Sequence, residues 1–202
     1  SMTNKRIDFS VDSGYYDYIE LSISSVAEYQ AKNAVLAVTA LKALKQEEQF
    51  TDQMIKQGIA RMRWQGRMET VLPQVIIDGA HNEAGVEEFV KTAKRLEADY
   101  PVTLLFAAVG DKDYHRMIET ICRELRMERV IVTEVGGYRS VPAEEPAALF
   151  EKFGSAKVRA CPDAEEAFLA ALEEKGDGIL FCVGSLYLVG SIKSILRRTA
   201  HD

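Results

Sequence analysis

Val75-Ile76-Ile77-Asp78-Gly79-Ala80-His81-Asn82 decides the fold, because a short β-branched run ends on an acid, two small residues, an imidazole and an amide. Pro73 precedes the run, and over 83–96 apolar residues recur at helical spacing, at Val86, Phe89, Val90, Ala93 and Leu96. The pattern reads as strand, turn and helix. It puts Asp78, His81 and Asn82 at the carboxyl end of a strand, where open α/β sheets bind ligands.

The same unit repeats downstream. Apolar strands are predicted at 102–109, 129–133, 157–159 and 178–182, separated by helices at 114–125, 144–153 and 163–174 and followed by a helix at 185–197. Five short strands alternating with helices predict an α/β domain with a mostly parallel, Rossmann-like sheet covered on both faces. The lead from Arg67 to Leu72 is a candidate for one more strand, with Trp64 packing near its start. Upstream, residues 6–11 and 16–23 alternate around Asp12-Ser13-Gly14, as a β-hairpin does. A helix is expected over 26–44, and Thr51-Asp52 opens a second one carrying Met54, Ile55 and Ile59. The domain boundary falls between Ile59 and Met68, drawn at 62/63. Residues 1–62 read as the tail of a larger domain whose beginning is absent, because a hairpin and two helices offer little apolar surface for a second core.

With 202 residues and 47% apolar composition, the chain has the material for a packed core. A net charge of −6 with both signs interspersed argues against nucleic-acid or polybasic membrane partners. The start Ser1-Met2-Thr3-Asn4-Lys5 lacks the apolar core of a signal peptide, and Ser1 reads as an expression remnant. The three cysteines, Cys122, Cys161 and Cys182, have no metal-ligand spacing and are expected to be reduced and mostly buried, as in a cytoplasmic protein.

Each candidate site residue also has a plain structural reading. In Asp78-Gly79-Ala80-His81-Asn82 the imidazole suits a phosphate or acyl oxygen, yet Asn82 or Asp78 equally suits capping of the next helix. In Gly110-Asp111-Lys112-Asp113, Lys112 suits a phosphate or an acid partner, and Asp113 suits a helix cap. In Gly184-Ser185-Leu186-Tyr187, Ser185 suits either a cap or a donor to an anion. Gly136-Gly137-Tyr138-Arg139 offers an aromatic ring and a cation on a flexible loop, which a base or acidic substrate would use and an ordinary surface would also carry. His115 falls on a helix surface and His201 in the tail. Neither a GxGxxG fingerprint nor a GxxxxGK[ST] loop occurs.

Taken with Trp64-Gln65-Gly66-Arg67-Met68-Glu69, these motifs occur in an order that resembles the C-terminal part of folylpolyglutamate synthase and dihydrofolate synthase, a branch of the Mur-ligase superfamily. Glu28-Tyr29-Gln30-Ala31-Lys32-Asn33-Ala34 resembles a further family segment, although Ala27-Glu28-Tyr29 stands where the family has a glycine and a histidine. The resemblance implies a domain of the Mur-ligase C-terminal type and an ATP- and magnesium-dependent ligase. Such a ligase phosphorylates a folate carboxylate, and the amine of L-glutamate attacks the acyl phosphate. It also implies that Arg67 contacts the nucleotide phosphate, and that Asp78, Asn82 and Lys112 lie on the nucleotide side. His81 would face phosphate and glutamate, and Ser185 and Tyr187 the substrate. Arg67 and His81 are the catalytic candidates, and no metal ligand is assigned. By the same resemblance the phosphate loop and magnesium ligands belong to an N-terminal partner domain, and this length of chain alone is expected to be inactive. The alternatives are a noncatalytic nucleotide- or anion-binding module and a Mur ligase acting on a cell-wall precursor.

Overall fold

The computed structural model describes residues 6–14, 16–43 and 50–199. His201 and the end of the helix expected over 26–44 lie outside the described residues. The chain divides into two compact units, Ser1–Gln65 and Gly66–Asp202.

In the first unit, β1 (Ile7–Ser13) and β2 (Tyr16–Ile23) form an antiparallel hairpin whose register shifts between Val11 and Ser13. The strand therefore runs two residues into the stretch that sequence assigned to the turn, with a bulge absorbing the extra residue. Helix α1 (Tyr29–Ala43) begins after the predicted start at 26. The Ser25 hydroxyl accepts the Ala27 N–H at 3.1 Å and so holds the preceding backbone in a local turn. Helix α2 (Asp52–Arg61) starts on Thr51, whose hydroxyl accepts from the Met54 N–H, and buries Ile55 and Ile59 one turn apart. Contrary to expectation, these elements close a cluster of their own around Val11, Ile19, Leu21, Ile23, Ala34, Val38, Ile55 and Ile59, with Trp64 packed on its edge.

The second unit is one six-stranded sheet in the order β3-β4-β8-β5-β6-β7. Its strands are β3 (Glu69–Leu72), β4 (Val75–Ile77), β5 (Val102–Phe106), β6 (Arg129–Val132), β7 (Lys157–Ala160) and β8 (Ile179–Val183). The lead strand β3 pairs antiparallel with β4, and every other pairing is parallel. β8 enters between β4 and β5, aligning Ile77 with Cys182 and Phe106 with Val183. All residues of β4, β5 and β8 are buried, as strands covered on both faces require.

Successive side chains serve opposite faces. Val75, Ile77, Leu105, Ile131, Leu180 and Cys182 pack with Phe168 and Ala171 of α6 (Ala164–Glu174) and with Leu188 and Ile192 of α7 (Leu186–Thr199). Phe181 stacks edge-on against Phe89 of α3 (Glu83–Glu97), and Phe106 against Phe150 of α5 (Glu144–Phe153). Each aromatic pair contributes about 0.5–1.5 kcal/mol beyond its buried area. Between α3 and α5, α4 (Tyr114–Glu124) buries Met117, Ile118 and Ile121. The outer strand β7 alternates exposed Lys157 and Arg159 with half-buried Val158 and Ala160, and Arg159 pairs with Glu174 at 3.2 Å.

The strand expected over 102–109 leaves the sheet at Phe106. Ala107 adds one bond to the Val183 carbonyl, and Val109 then turns to bridge Ser140 in antiparallel fashion. All three cysteines are free; Cys182 is buried, whereas Cys122 and Cys161 are only half-buried, fewer than sequence suggested. Among the described residues no helix is long and apolar enough to cross a membrane.

Burial raises all three thiols above their ordinary range, Cys122 to about 11. A thiol at that value is about 0.1% thiolate at pH 8. Labelling of the native chain with iodoacetamide at pH 8 should therefore modify Cys161 first, Cys122 slowly and Cys182 only after unfolding. Mass spectrometry of timed digests reads the order.

Candidate functional site

The turns after β4, β5, β6 and β8 share one rim, because parallel strands end on the same side. The Asp78 N–H continues the ladder to the Cys182 carbonyl at 2.9 Å, and the Gly184 N–H returns to the Ala80 carbonyl at 3.1 Å. The motifs Asp78–Asn82 and Gly184–Tyr187, far apart in sequence, are thereby stitched together. Only glycine fits at 184: its φ is +111°, and a Cβ would lie 2.4 Å from the Ala107 carbonyl oxygen.

Asp78 is 2% exposed, and its carboxylate is occupied within the chain. Oδ2 accepts the Met68 N–H and Oδ1 the Ala80 N–H, each at 2.7 Å. Met68 has φ +46°, an uncommon conformation for a side chain other than glycine. Two further bonds close that turn, from the Gly79 N–H to the Gly66 carbonyl at 2.7 Å and from the Gly66 N–H to Glu69 Oε2 at 2.6 Å. Lys193 of α7 pairs with the same glutamate oxygen at 2.9 Å. The result is a rigid loop that carries Arg67 next to the rim. Arg67 is half-buried and pairs with no acid among the described residues.

His81 is also held. Its Nδ1 lies 2.7 Å from the Gly79 carbonyl oxygen. A carbonyl only accepts, so Nδ1 carries the proton, and Nε2 is the ring atom left for a ligand. Asn82 caps α3 by accepting the Gly85 N–H at 2.8 Å, which leaves its amide donors. Asp113 caps α4 by accepting the Arg116 N–H at 3.2 Å, and Lys112 beside it is exposed. The buried Ser185 hydroxyl accepts the Tyr187 N–H at 3.1 Å, so its own proton is available to an acceptor. Tyr187 is half exposed.

Sequence reasoning did not assign Arg139 to the site. The structure places its guanidinium carbon 5.5 Å from the ring centroid of Tyr138 and 5.4 Å from that of Tyr187, with Nη1 3.3 Å from Asp111 Oδ2. Nη2 also bonds the Tyr187 hydroxyl. The only sequence signal was a cation next to an aromatic after the third parallel strand. Tyr138 and then Tyr187, ahead of Asp111, shift the guanidinium further toward its charged form. At the opposite end of the sheet a depression is lined by Lys94, Glu97, Glu124 and Arg126, whose polar groups largely satisfy one another through Lys94–Glu124 at 3.0 Å and Arg126 N–H to Glu97 at 2.6 Å.

A rim that carries Arg67, His81 Nε2 and Lys112 has cations and a ring nitrogen of the kind an anionic ligand uses. The family model described as Mur ligase, glutamate ligase domain matches residues 61–186, and the chain belongs to that family. Within it the chain is similar to folylpolyglutamate synthase of Lacticaseibacillus casei, 28% identical over 181 residues that cover 88% of this chain and 40% of that protein. It is 31% identical over 157 residues to dihydrofolate synthase/folylpolyglutamate synthase of Mycobacterium tuberculosis, covering 74% of this chain and 32% of that one. Among solved structures, folylpolyglutamate synthase of Thermotoga maritima superposes with a TM-score of 0.74 at 26% identity, covering 96% of this chain and 44% of that chain. The Mycobacterium tuberculosis enzyme complexed with ADP and AMPPCP gives 0.76 at 25%, covering 88% and 42%. This chain thus spans less than half the length of these relatives.

Asp78→Ala should lower the unfolding free energy by about 2–4 kcal/mol, since two buried N–H groups lose their acceptors. Gly184→Ala should cost at least about 2 kcal/mol through its backbone conformation and overlap with Ala107. Urea unfolding followed by circular dichroism measures both, and near-wild-type midpoints would refute the described roles.

Proposed function

We propose that this chain supplies one wall of the active site of an ATP-dependent amide ligase that adds L-glutamate to a folate substrate. On this reading residues 63–202 are the Mur-ligase C-terminal domain, and residues 1–62 belong with the preceding central domain. The carrying observation is Arg67: half-buried, paired with no described acid, and held on a loop that Asp78 fastens beside His81.

ATP supplies the phosphoryl group that converts a folate carboxylate into an acyl phosphate, which the glutamate amine then attacks with release of phosphate. The chain's own groups orient and stabilise. Arg67 offers charged N–H donors to phosphate oxygens, where a fixed guanidinium favours the negative charge that builds up in transfer. Asn82 donates from its amide and Lys112 adds an exposed cation on the nucleotide side. Nδ1 fixed on the Gly79 carbonyl presents His81 Nε2 to phosphate or to the incoming amine. The Ser185 and Tyr187 hydroxyls donate to carboxylate oxygens of the amino acid. Asp78 shapes the loop through its two amide bonds. Among the described residues no group of three or more His, Cys, Asp or Glu is placed to hold a metal, and the magnesium ion is assigned to ligands outside them.

In the protein as its gene encodes it, Arg67→Ala and His81→Ala should each reduce kcat/KM by roughly thirty- to a thousandfold, corresponding to about 2–4 kcal/mol. Their melting curves should match the wild type. Coupled assay of glutamate-dependent ADP release decides the matter, and unchanged kinetics in both variants would sink the proposed site. The 202-residue chain alone, which has no GxxxxGK[ST] loop, should show no such release. ADP binding by the gene-encoded protein without any turnover would instead favour a noncatalytic nucleotide-binding module.

A further inference from the structure

We infer that Arg139 is a positioning residue of this rim: it orients the Tyr187 hydroxyl so that the phenolic proton is offered to a carboxylate of the acidic substrate. The inference rests on the ligase reading above, because it concerns how that site receives glutamate.

Arginine has donors and no acceptor. Its Nη2 therefore donates to the Tyr187 oxygen, and the phenolic hydrogen must point to some other acceptor. A hydroxyl that accepts from a cation is polarised into a stronger donor. The guanidinium carbon also sits 5.4 Å from the ring centroid, and the other prong of the fork lies 3.3 Å from Asp111, so the fork meets Tyr187 at both its ring and its hydroxyl. Tyr187 lies two residues beyond Ser185, whose hydroxyl accepts the Tyr187 N–H and so holds the backbone that carries the phenol.

The main chain of the Arg139 loop is anchored independently of this fork. The Arg139 carbonyl accepts the Gly110 N–H at 2.9 Å, and Ser140 bridges Val109. Just before it, Gly136 and Gly137 take left-handed φ values of +70° and +79° with open space around them. Tyr138, the other ring in contact with the guanidinium, is 94% exposed. Replacing the Arg139 side chain therefore removes the tie to Tyr187 without unmaking the loop. Lysine does not substitute, since a single ammonium lacks the planar fork that reaches Asp111 and Tyr187 together.

The test is steady-state kinetics of the gene-encoded protein as wild type, Arg139→Gln, Arg139→Lys, Tyr187→Phe and the Arg139→Gln/Tyr187→Phe double variant. Arg139→Gln and Tyr187→Phe should each raise the KM for glutamate about tenfold, with kcat changed by less than about threefold. The KM for ATP should stay constant, the double variant should be no worse than the worse single one, and Arg139→Lys should remain impaired. Additive effects in the double variant, an unchanged glutamate KM, or a parallel rise in the KM for ATP would overturn the role of Arg139. A wild-type protein without glutamate-dependent turnover would overturn the ligase reading and this inference together, whereas an active wild type with additive variants would overturn the inference alone.

Discussion

The buried carboxylate of Asp78 is the constraint on which the rim depends. A carboxylate sealed from water costs several kcal/mol unless hydrogen bonds compensate it, and here each oxygen takes a backbone N–H at 2.7 Å. One of those donors, Met68, belongs to the loop before β3, and the other, Ala80, to the turn after β4. Satisfying the charge therefore fixes the two segments against each other and holds Met68 in its left-handed conformation. The backbone of the loop that carries Arg67 and the turn that sets the tautomer of His81 are both held by this one group.

Strand order carries the constraint to the other loops. Because β8 is inserted between β4 and β5, the end of the chain returns to the centre of the sheet and its turn lies between the first two. Gly184 is the crossing point, bonded to Ala80 and pressed against Ala107. Four loops that share few sequence neighbours become one surface, and the Arg139 fork joins Asp111 to Tyr187 across it.

Much of this was legible in the residues. Periodicity separated 75–77 from 83–96 and repeated that contrast down the chain, because strands buried on both faces need unbroken apolar runs whereas helices need a stripe. Asn82, Asp113 and Ser185 were readable as caps because capping is local chemistry. The work of Asp78 was not readable, since its partner Met68 is ten residues away and acts through a backbone N–H that any residue supplies. Arg139 was legible as a loop cation but its partners were not, because Asp111 and Tyr187 lie on loops that only strand order brings together. The separate cluster of the hairpin unit was underestimated because its apolar residues are spread over four short elements, none of which suggests a core by itself.

The two outermost strands have different consequences for what the sheet tolerates at its margins. β3, antiparallel to its neighbour, ends the sheet on one side, and β7, parallel to its neighbour and carrying exposed Lys157 and Arg159, ends it on the other. A foreign strand adding beside β7 would have to accommodate Lys157 and the Arg159–Glu174 pair, and charged side chains of this kind disfavour strand addition. The flank beyond β7 is thus a poor template for fibrous self-association.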